Sequence, residues 1–284
     1  MKVVFITGVS TGIGYATLKR LTETGYFVIG SVRNASDALR LSNEFGSKVH
    51  ILEFDVTDQI KTHTQIESIY PILQKNGLAC LINNAGIAVP GPLEYLSEQD
   101  FTYQMDVNVL AVRRVTNMLL PYLGSDTQYN PGKIIFISSV SGLFNAPFNG
   151  SYCISKHALE SMIDVYRREL YRFGIQVSAI EPGPIKTEIW RKNLGQLDKF
   201  LDTPYGDILS SADKMIENSD KSALPVKVIT DIIDKILVAG SPKTRYLVHK
   251  KPFLFKLMSA YLPDKFVDKM VHKTLSKKDN YRPV

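Results

Sequence analysis

Cysteine is scarce in this chain: Cys80 and Cys153 are the only two among 284 residues. Cys80 sits inside the apolar stretch Leu78-Ala79-Cys80-Leu81-Ile82, and neither cysteine has the spacing of a metal knuckle. A disulfide framework is therefore excluded, no metal site is expected, and a reducing compartment fits. No run of about 18 apolar residues occurs, which argues against a membrane-spanning helix. The first apolar run begins at Val3, leaving no room ahead of it for a signal peptide, so a cytoplasmic location is the expectation. Internal repeats and low-complexity segments are also lacking. Excess positive charge is absent from most of the chain. The net charge is +6, yet residues 243–284 alone hold eleven Lys and Arg against three Asp. The basicity belongs to the tail.

What is present reads as an ordinary globular protein, with 44% hydrophobic and 22% charged residues. Short β-branched runs recur at Val3–Ile6, Phe27–Val32, His50–Phe54, Ala79–Ile82, Lys133–Ile137 and Gln176–Ile180. Segments such as Ala16–Thr24, Ile60–Gln74, Phe101–Leu120 and Ile154–Arg172 are long enough for crossover helices. Apolar strands alternating with helices predict an α/β fold, a Rossmann-type doubly wound parallel sheet covered on both faces. The expected layout is a single domain over 1–249, with a basic amphipathic extension over 250–284. Residues 188–225 are too long for an ordinary connection and suggest a lid or interface arm.

The stretch Thr7-Gly8-Val9-Ser10-Thr11-Gly12-Ile13-Gly14 follows the first strand and opens a helix. Free N–H groups and the helix dipole favour an anion there, and glycines let the backbone approach a pyrophosphate. No Gly-Lys-Ser/Thr follows, so the loop is not a P-loop. About twenty residues on, the second strand ends in Arg33, where a carboxylate would bind the ribose hydroxyls of NAD; a guanidinium suits the 2′-phosphate of NADP(H) instead. Ser10 and Thr11 add hydroxyl donors. Asp55-Val56 after the third strand and Asn84-Ala85-Gly86 after the fourth continue the same crevice, with Asp55 placed to accept from the adenine amino group.

The chemistry concentrates in Ser138-Ser139 and Tyr152-x-x-x-Lys156. Tyr152 and Lys156 share one helical face. An ammonium beside a phenol favours the phenolate, which brings a group of ordinary pKa about 10 toward working pH. Ser139, ending the fifth strand, can hold a carbonyl oxygen.

Taken together, Thr7-Gly8-x-x-x-Gly12-Ile13-Gly14, Asn83-Asn84-Ala85-Gly86, Asn108, Ser139, Tyr152-x-x-x-Lys156 and Pro182-Gly183 resemble the short-chain dehydrogenases/reductases. The resemblance covers residues 7 to about 187, in the family's order and spacing. It implies that Ser139 and Tyr152 bind the reacting oxygen, that Tyr152 is the acid/base, and that Lys156 binds the nicotinamide ribose and lowers the phenol's pKa. It implies that Asn108 holds a proton-relay water. Pro182, Gly183, Ile185 and Thr187 would lie beside the nicotinamide carboxamide. A homodimer or homotetramer is the family-level expectation.

Ser241–Tyr246, Phe253-Leu254, Leu262-Pro263-Asp264 and Val32-Arg33-Asn34 are similar to the steroid- and retinol-dehydrogenase branch, 17β-hydroxysteroid dehydrogenases included. This favours a small lipophilic alcohol or carbonyl as substrate. Leu143, Phe144, Pro147, Phe148 and Trp190 are the expected apolar mouth. An NADP(H)-dependent oxidoreductase leads; a nucleotide-binding sensor without turnover is the alternative, although it would be free to lose Ser139, Tyr152 or Lys156. In the tail, Phe266, Val267, Met270, Val271 and Leu275 share a helical face beside Lys265, Lys269, Lys273 and Lys277. Such a helix could contact an anionic membrane surface peripherally or pack on its own domain. A short basic stripe without a recognition module does not indicate nucleic acid.

Overall fold

The computed structural model describes residues 1–187, 195–210, 221 and 223–276. Seven strands form one parallel sheet in the order β3-β2-β1-β4-β5-β6-β7. They are β1 (Val3–Ile6), β2 (Phe27–Val32), β3 (Val49–Glu53), β4 (Cys80–Asn83), β5 (Lys133–Ile137), β6 (Gln176–Pro182) and β7 (Arg245–Val248). The helices between them are α1 (Gly12–Glu23), α2 (Ala35–Phe45), α3 (Gln59–Glu67), α4 (Tyr70–Asn76), α5 (Glu98–Met105), α6 (Ala111–Leu119) and α7 (Gly150–Leu170).

Successive residues of a strand face opposite sides of the sheet, and here both sides are apolar. Val3 and Phe5 join Leu81, Ile134 and Phe136 in one core, covered by Val115 and Leu119 of α6 and Leu159 and Ile163 of α7. Val4 and Ile6 join Ile82, Ile135 and Ile180 in the other. That second core is covered by Leu18 and Leu21 of α1, Leu41 of α2, and Ile229 and Ile233 of the helix Lys227–Val238. Strand order reverses beside β1, so a crevice opens above the carboxyl ends of β1 and β4. The Rossmann-type sheet expected from the sequence is the fold found.

Differences from the sequence reading have local causes. β3 and β4 are each displaced by one residue from the anticipated runs. The segment 60–74 is two helices, because Pro71 enters the first turn of α4 and cannot continue a hydrogen-bond ladder. The segment 101–120 is interrupted by a π-helical turn over Asp106–Leu110. Strand β7 is a four-residue, mostly half-buried edge strand whose sequence, Arg-Tyr-Leu-Val, carries too weak a pattern to read alone. Within 195–210, Leu197, Phe200 and Leu209 form a satellite cluster with Phe148 and Tyr205. Residues 188–194, including Trp190, lie outside the described residues, as do 211–220 and 222 of the anticipated lid.

β7 is tied to the sheet by charge. Arg245 donates to Glu181 Oε1 on β6 at 2.8 Å and to Asp164 Oδ1 on α7 at 2.8 Å, and also to Glu160 Oε2. Glu160 and Glu181 are buried, whereas the Arg245 side chain is about one-third exposed. Burial raises the Glu181 carboxyl despite the hydrogen bond from Arg245. Replacing Arg245 by Met strands these carboxylates. The expected loss is about 3 kcal/mol, the low end for a broken buried pair because the guanidinium is part-solvated. Without the cation Glu181, already raised by burial, is raised further above its unfolded value, so the deficit should shrink as pH falls from 8 toward 5. Urea unfolding of Arg245→Met at both pH values measures this; a deficit that grows on acidification would contradict it.

Candidate active site

The crevice is lined by the carboxyl ends of the strands and encloses a cavity of about 350 Å³. Its floor is two loops held face to face. Asn84 Nδ2 donates to the carbonyls of Thr7 and Gly8, each at 2.9 Å, while Thr7 Oγ1 accepts from the N–H groups of Asn84 and Ala85, each at 2.9 Å. Gly8 has φ +72°, and a Cβ there would stand 3.0 Å from Ala85 Cα. A Cβ on Gly14 would lie 2.1 Å from the Gly8 carbonyl oxygen. Gly14 therefore serves the approach of helix to loop, and it does not line the cavity.

Gly8, Ser10, Thr11, Gly12 and Ile13 do line it, as do Arg33 from β2 and Asp55 and Val56 after β3. Thr11 at the N-cap of α1 makes no side-chain capping bond, and the first turn holds no acidic residue. The helix end thus remains open to an anion. Arg33 is exposed and has no ion-pair partner among the described residues. Nearby, the carboxylate of Asp37 is occupied: Oδ1 accepts from Arg40 at 2.8 Å and Oδ2 from Asn34 at 3.1 Å. Arg40 also donates to the Ser10 carbonyl at 2.8 Å, steadying the glycine loop from outside. Arg40 escaped the sequence reading because nothing in its local pattern announces that contact. Asp55 Oδ1 accepts from Thr57 N at 2.9 Å and Oγ1 at 2.7 Å, which fixes its carboxylate at the crevice edge.

Ala85, Gly86, Pro182, Gly183, Ile185 and Thr187 continue the lining toward Ser139, Tyr152 and Lys156. Three observations fit a dinucleotide: an uncapped helix start, a glycine floor, and Ser138 Oγ, buried with no hydrogen-bond partner among the described residues. Not every anticipated residue lines this cavity. Leu143 and Phe144 lie outside its lining, and Phe144 instead packs edge-on to Phe255 with ring centroids 6.4 Å apart. Asn108 is buried in the π turn with both amide protons engaged, by Ile87 O and Ser155 Oγ, each at 3.0 Å. Its Oδ1 accepts from Ile87 N at 3.0 Å. Its side chain holds the loop after β4 in place. Phe148 adopts φ 61°, unusual for a bulky side chain, and packs on Tyr205.

Tyr152, Lys156 and Glu160 form an i, i+4, i+8 stripe on α7, and all three are buried. Burial pushes the Tyr152 phenol up to about 12, although a hydrogen bond from Ser139 works in the opposite direction. Burial likewise draws the Lys156 ammonium down to about 8, opposed by the Glu160 carboxylate. Lys156 Nζ lies 5.7 Å from the Tyr152 ring centroid and donates to the Ile137 carbonyl at 3.0 Å. From the sequence Lys156 is expected to bring the phenol toward working pH; burial instead dominates and raises it, with only the hydrogen bond from Ser139 pulling it down. The result is a neutral phenol and a serine hydroxyl in contact, backed by an ammonium. That set can donate a proton to an oxygen that gains negative charge.

The sequence model of the short chain dehydrogenase family matches residues 2–197. The chain is 39% identical over 278 residues to an NADPH-dependent 3-dehydrocapnine reductase from Ornithobacterium rhinotracheale, covering 98% of each. It is 32% identical to mouse retinol dehydrogenase 16, over 96% of this chain and 88% of that one. Among solved structures, a Burkholderia phymatum short chain dehydrogenase/reductase in complex with NAD superposes with a TM-score of 0.76 at 19% identity, over 100% of this chain and 97% of that one. The protein is a member of the short-chain dehydrogenase/reductase family, in its retinol and steroid dehydrogenase-like branch. It is accordingly an oxidoreductase acting on alcohol or carbonyl groups, on a fold that binds a nicotinamide dinucleotide.

Holding Lys156 charged inside the fold has a cost. Its folded pKa of about 8 lies below the ordinary lysine value, so the cost is fully present below pH 8 and is relieved as pH rises toward about 10.4. Lys156→Met should therefore match or exceed the parent's Tm at pH 7, and lose that advantage by pH 9.5. A Tm several degrees lower at pH 7 would contradict this balance.

Proposed function

We propose that the protein is an NADP(H)-dependent reductase of a lipophilic carbonyl, running in reverse as an alcohol dehydrogenase, with Tyr152 as the acid/base. The observation that carries this reading is the buried Tyr152 phenol in contact with Ser139. Bound NADPH supplies a hydride to the carbonyl carbon. Ser139 and Tyr152 hold the carbonyl oxygen, and as charge develops there Tyr152 Oη releases its proton to it. Lys156, reaching the same cavity, binds the nicotinamide ribose and stabilises the phenolate left behind. Gly8, Ser10, Thr11, Gly12 and Ile13 would hold the pyrophosphate, Asp55 and Val56 the adenine, and Pro182, Gly183, Ile185 and Thr187 the carboxamide side of the nicotinamide. Asn108 is assigned the placing of the relay water through the loop it braces.

Preference for NADP rests on Arg33, an exposed guanidinium just after β2 with no ion-pair partner among the described residues. The reductase sense agrees with two relatives' names, the 3-dehydrocapnine reductase and a 3-ketodihydrosphingosine reductase from Bacteroides thetaiotaomicron, 31% identical over 265 residues. A lipophilic ketone of that type is the substrate class inferred here. Trp190 is assigned to its apolar path.

Tyr152→Phe keeps the ring but removes the transferable proton, so kcat should fall at least ~10²-fold with NADPH affinity little changed. Near-full turnover in that variant would refute the assignment. Reduction uses the phenol and the Lys156 ammonium, oxidation the phenolate; initial rates should therefore stay level for reduction from pH 6 to 7 and fall as Lys156 deprotonates around pH 8, while oxidation is favoured by rising pH. Arg33→Asp sets a carboxylate against the 2′-phosphate and removes charge-assisted hydrogen bonds. It should lower kcat/KM for NADPH by ~10- to 10²-fold while sparing NADH. An unchanged cofactor ratio would remove Arg33 from the selection.

A further inference from the structure

Two helices follow β7, Pro252–Tyr261 and Asp264–Ser276. The sequence pattern of the second suggested one apolar face, but the structure divides it. Val267, Val271 and Leu275 are half-buried, whereas Phe266 and Met270 are exposed. The first helix turns only Phe255 fully inward, and leaves Phe253 82%, Tyr261 72% and Leu254 56% exposed, with Leu257 beside them. Large side chains this exposed, close in sequence on consecutive helices, mark an interaction surface and not the scatter of a normal exterior.

The same two helices and the residues leading into them carry Lys250, Lys251, Lys256, Lys265, Lys269 and Lys273, all exposed. None has an ion-pair partner among the described residues. With most of the chain slightly acidic, the positive charge of the protein gathers around these apolar side chains. We propose that the two C-terminal helices dock the protein on an anionic lipid surface, with Phe253, Leu254, Leu257, Tyr261, Phe266 and Met270 entering the interface and the lysines meeting the headgroups. A second copy of the chain is the poorer occupant. A two-fold contact sets a patch against itself, so it would bring lysine against lysine.

Docking here would set the cavity beside the lipid. Phe255, the inward residue of the first helix, packs on Phe144 of the turn after Ser139 and on His249, whose ring lies 5.1 Å away. His249 Cδ2 in turn would stand 2.9 Å from a Cβ on Gly183, a residue of the cavity wall. The docking surface and the catalytic cavity are thus two sides of one packed unit. The proposal concerns attachment and stands whether or not the substrate class inferred above is right.

The test is sedimentation of the full chain with vesicles of phosphatidylcholine alone or mixed with phosphatidylglycerol. Screening lengths shrink from about 10 Å at ~0.1 M salt to about 3 Å at ~1 M. Binding to the mixed vesicles is therefore expected at low salt, and at least tenfold weaker at high salt or without the anionic lipid. Phe253→Ser/Leu257→Ser/Phe266→Ser should weaken it about tenfold or more, with NADPH affinity and thermal stability kept, since the three side chains are exposed. Lys265→Glu/Lys269→Glu/Lys273→Glu should abolish the preference for anionic lipid. Protein left in the supernatant of mixed vesicles, or binding insensitive to both sets of substitutions, would overturn the proposal. So would a concentration-dependent dimer that the apolar substitutions dissolve, because the face would then belong to a second copy.

Discussion

How closely the turn after β5 can lie on α7 governs the chemistry of this site. Gly142, three residues past Ser139, has no side chain; a Cβ there would stand 2.8 Å from Glu160 Cγ and 3.0 Å from the Lys156 carbonyl oxygen. That vacancy lets the strand end and the helix meet, and so brings Ser139 to Tyr152. The same contact buries Lys156 and Glu160 on the inner stripe of α7. Burial then sets both protonation states, phenol up and ammonium down, from one packing constraint. A larger residue at 142 would separate the serine from the tyrosine before it disturbed either one's identity.

Charge one turn further along the same stripe of α7 completes the arrangement. Glu160 opposes the desolvation of Lys156 and is itself held by Arg245 of β7. The edge strand is therefore coupled to α7 through a buried carboxylate, and β7 in turn leads directly into the two C-terminal helices. Fold edge, Lys156 and tail form one packed series. The glycine-loop end of the crevice is built differently, with backbone-to-backbone closeness supplied by Gly8 and Gly14 and little charge beyond Arg33, Asp55 and the Arg40–Asp37 pair.

What could be read from the sequence were positions where chemistry demands a residue type at a fixed spacing. Gly8, Gly12 and Gly14, the Asn84–Gly86 loop, Ser139 and the Tyr152–Lys156 pair all announce themselves this way, and the apolar runs placed six of seven strands within a residue or two. Contacts made through space left no such mark. Arg40 reaching Ser10, Glu160 behind Lys156 and Arg245 joining three carboxylates depend on tertiary geometry, and β7, a half-buried edge strand opening on Arg245, lacks the continuous apolar run that marks the inner strands. The apolar mouth shows the same limit. Phe144 and Phe148 are near the site in sequence, yet one packs on the C-terminal helix and the other on Tyr205. In the tail, periodicity gave the right helix but mixed its buried and exposed members.

Transfer of hydrogen from the nicotinamide to a carbonyl carbon is what separates a catalyst from a protein that only binds the dinucleotide. It can be followed in a single turnover with NADPH deuterated at C4 and a long-chain ketone, the product alcohol being weighed by mass spectrometry. Stereospecific delivery from the crevice predicts an alcohol one mass unit heavier with one C4 epimer of the labelled cofactor and unlabelled with the other. No alcohol formed by protein that binds NADPH, across a panel of lipophilic ketones, or alcohol carrying no label from either epimer, would contradict it.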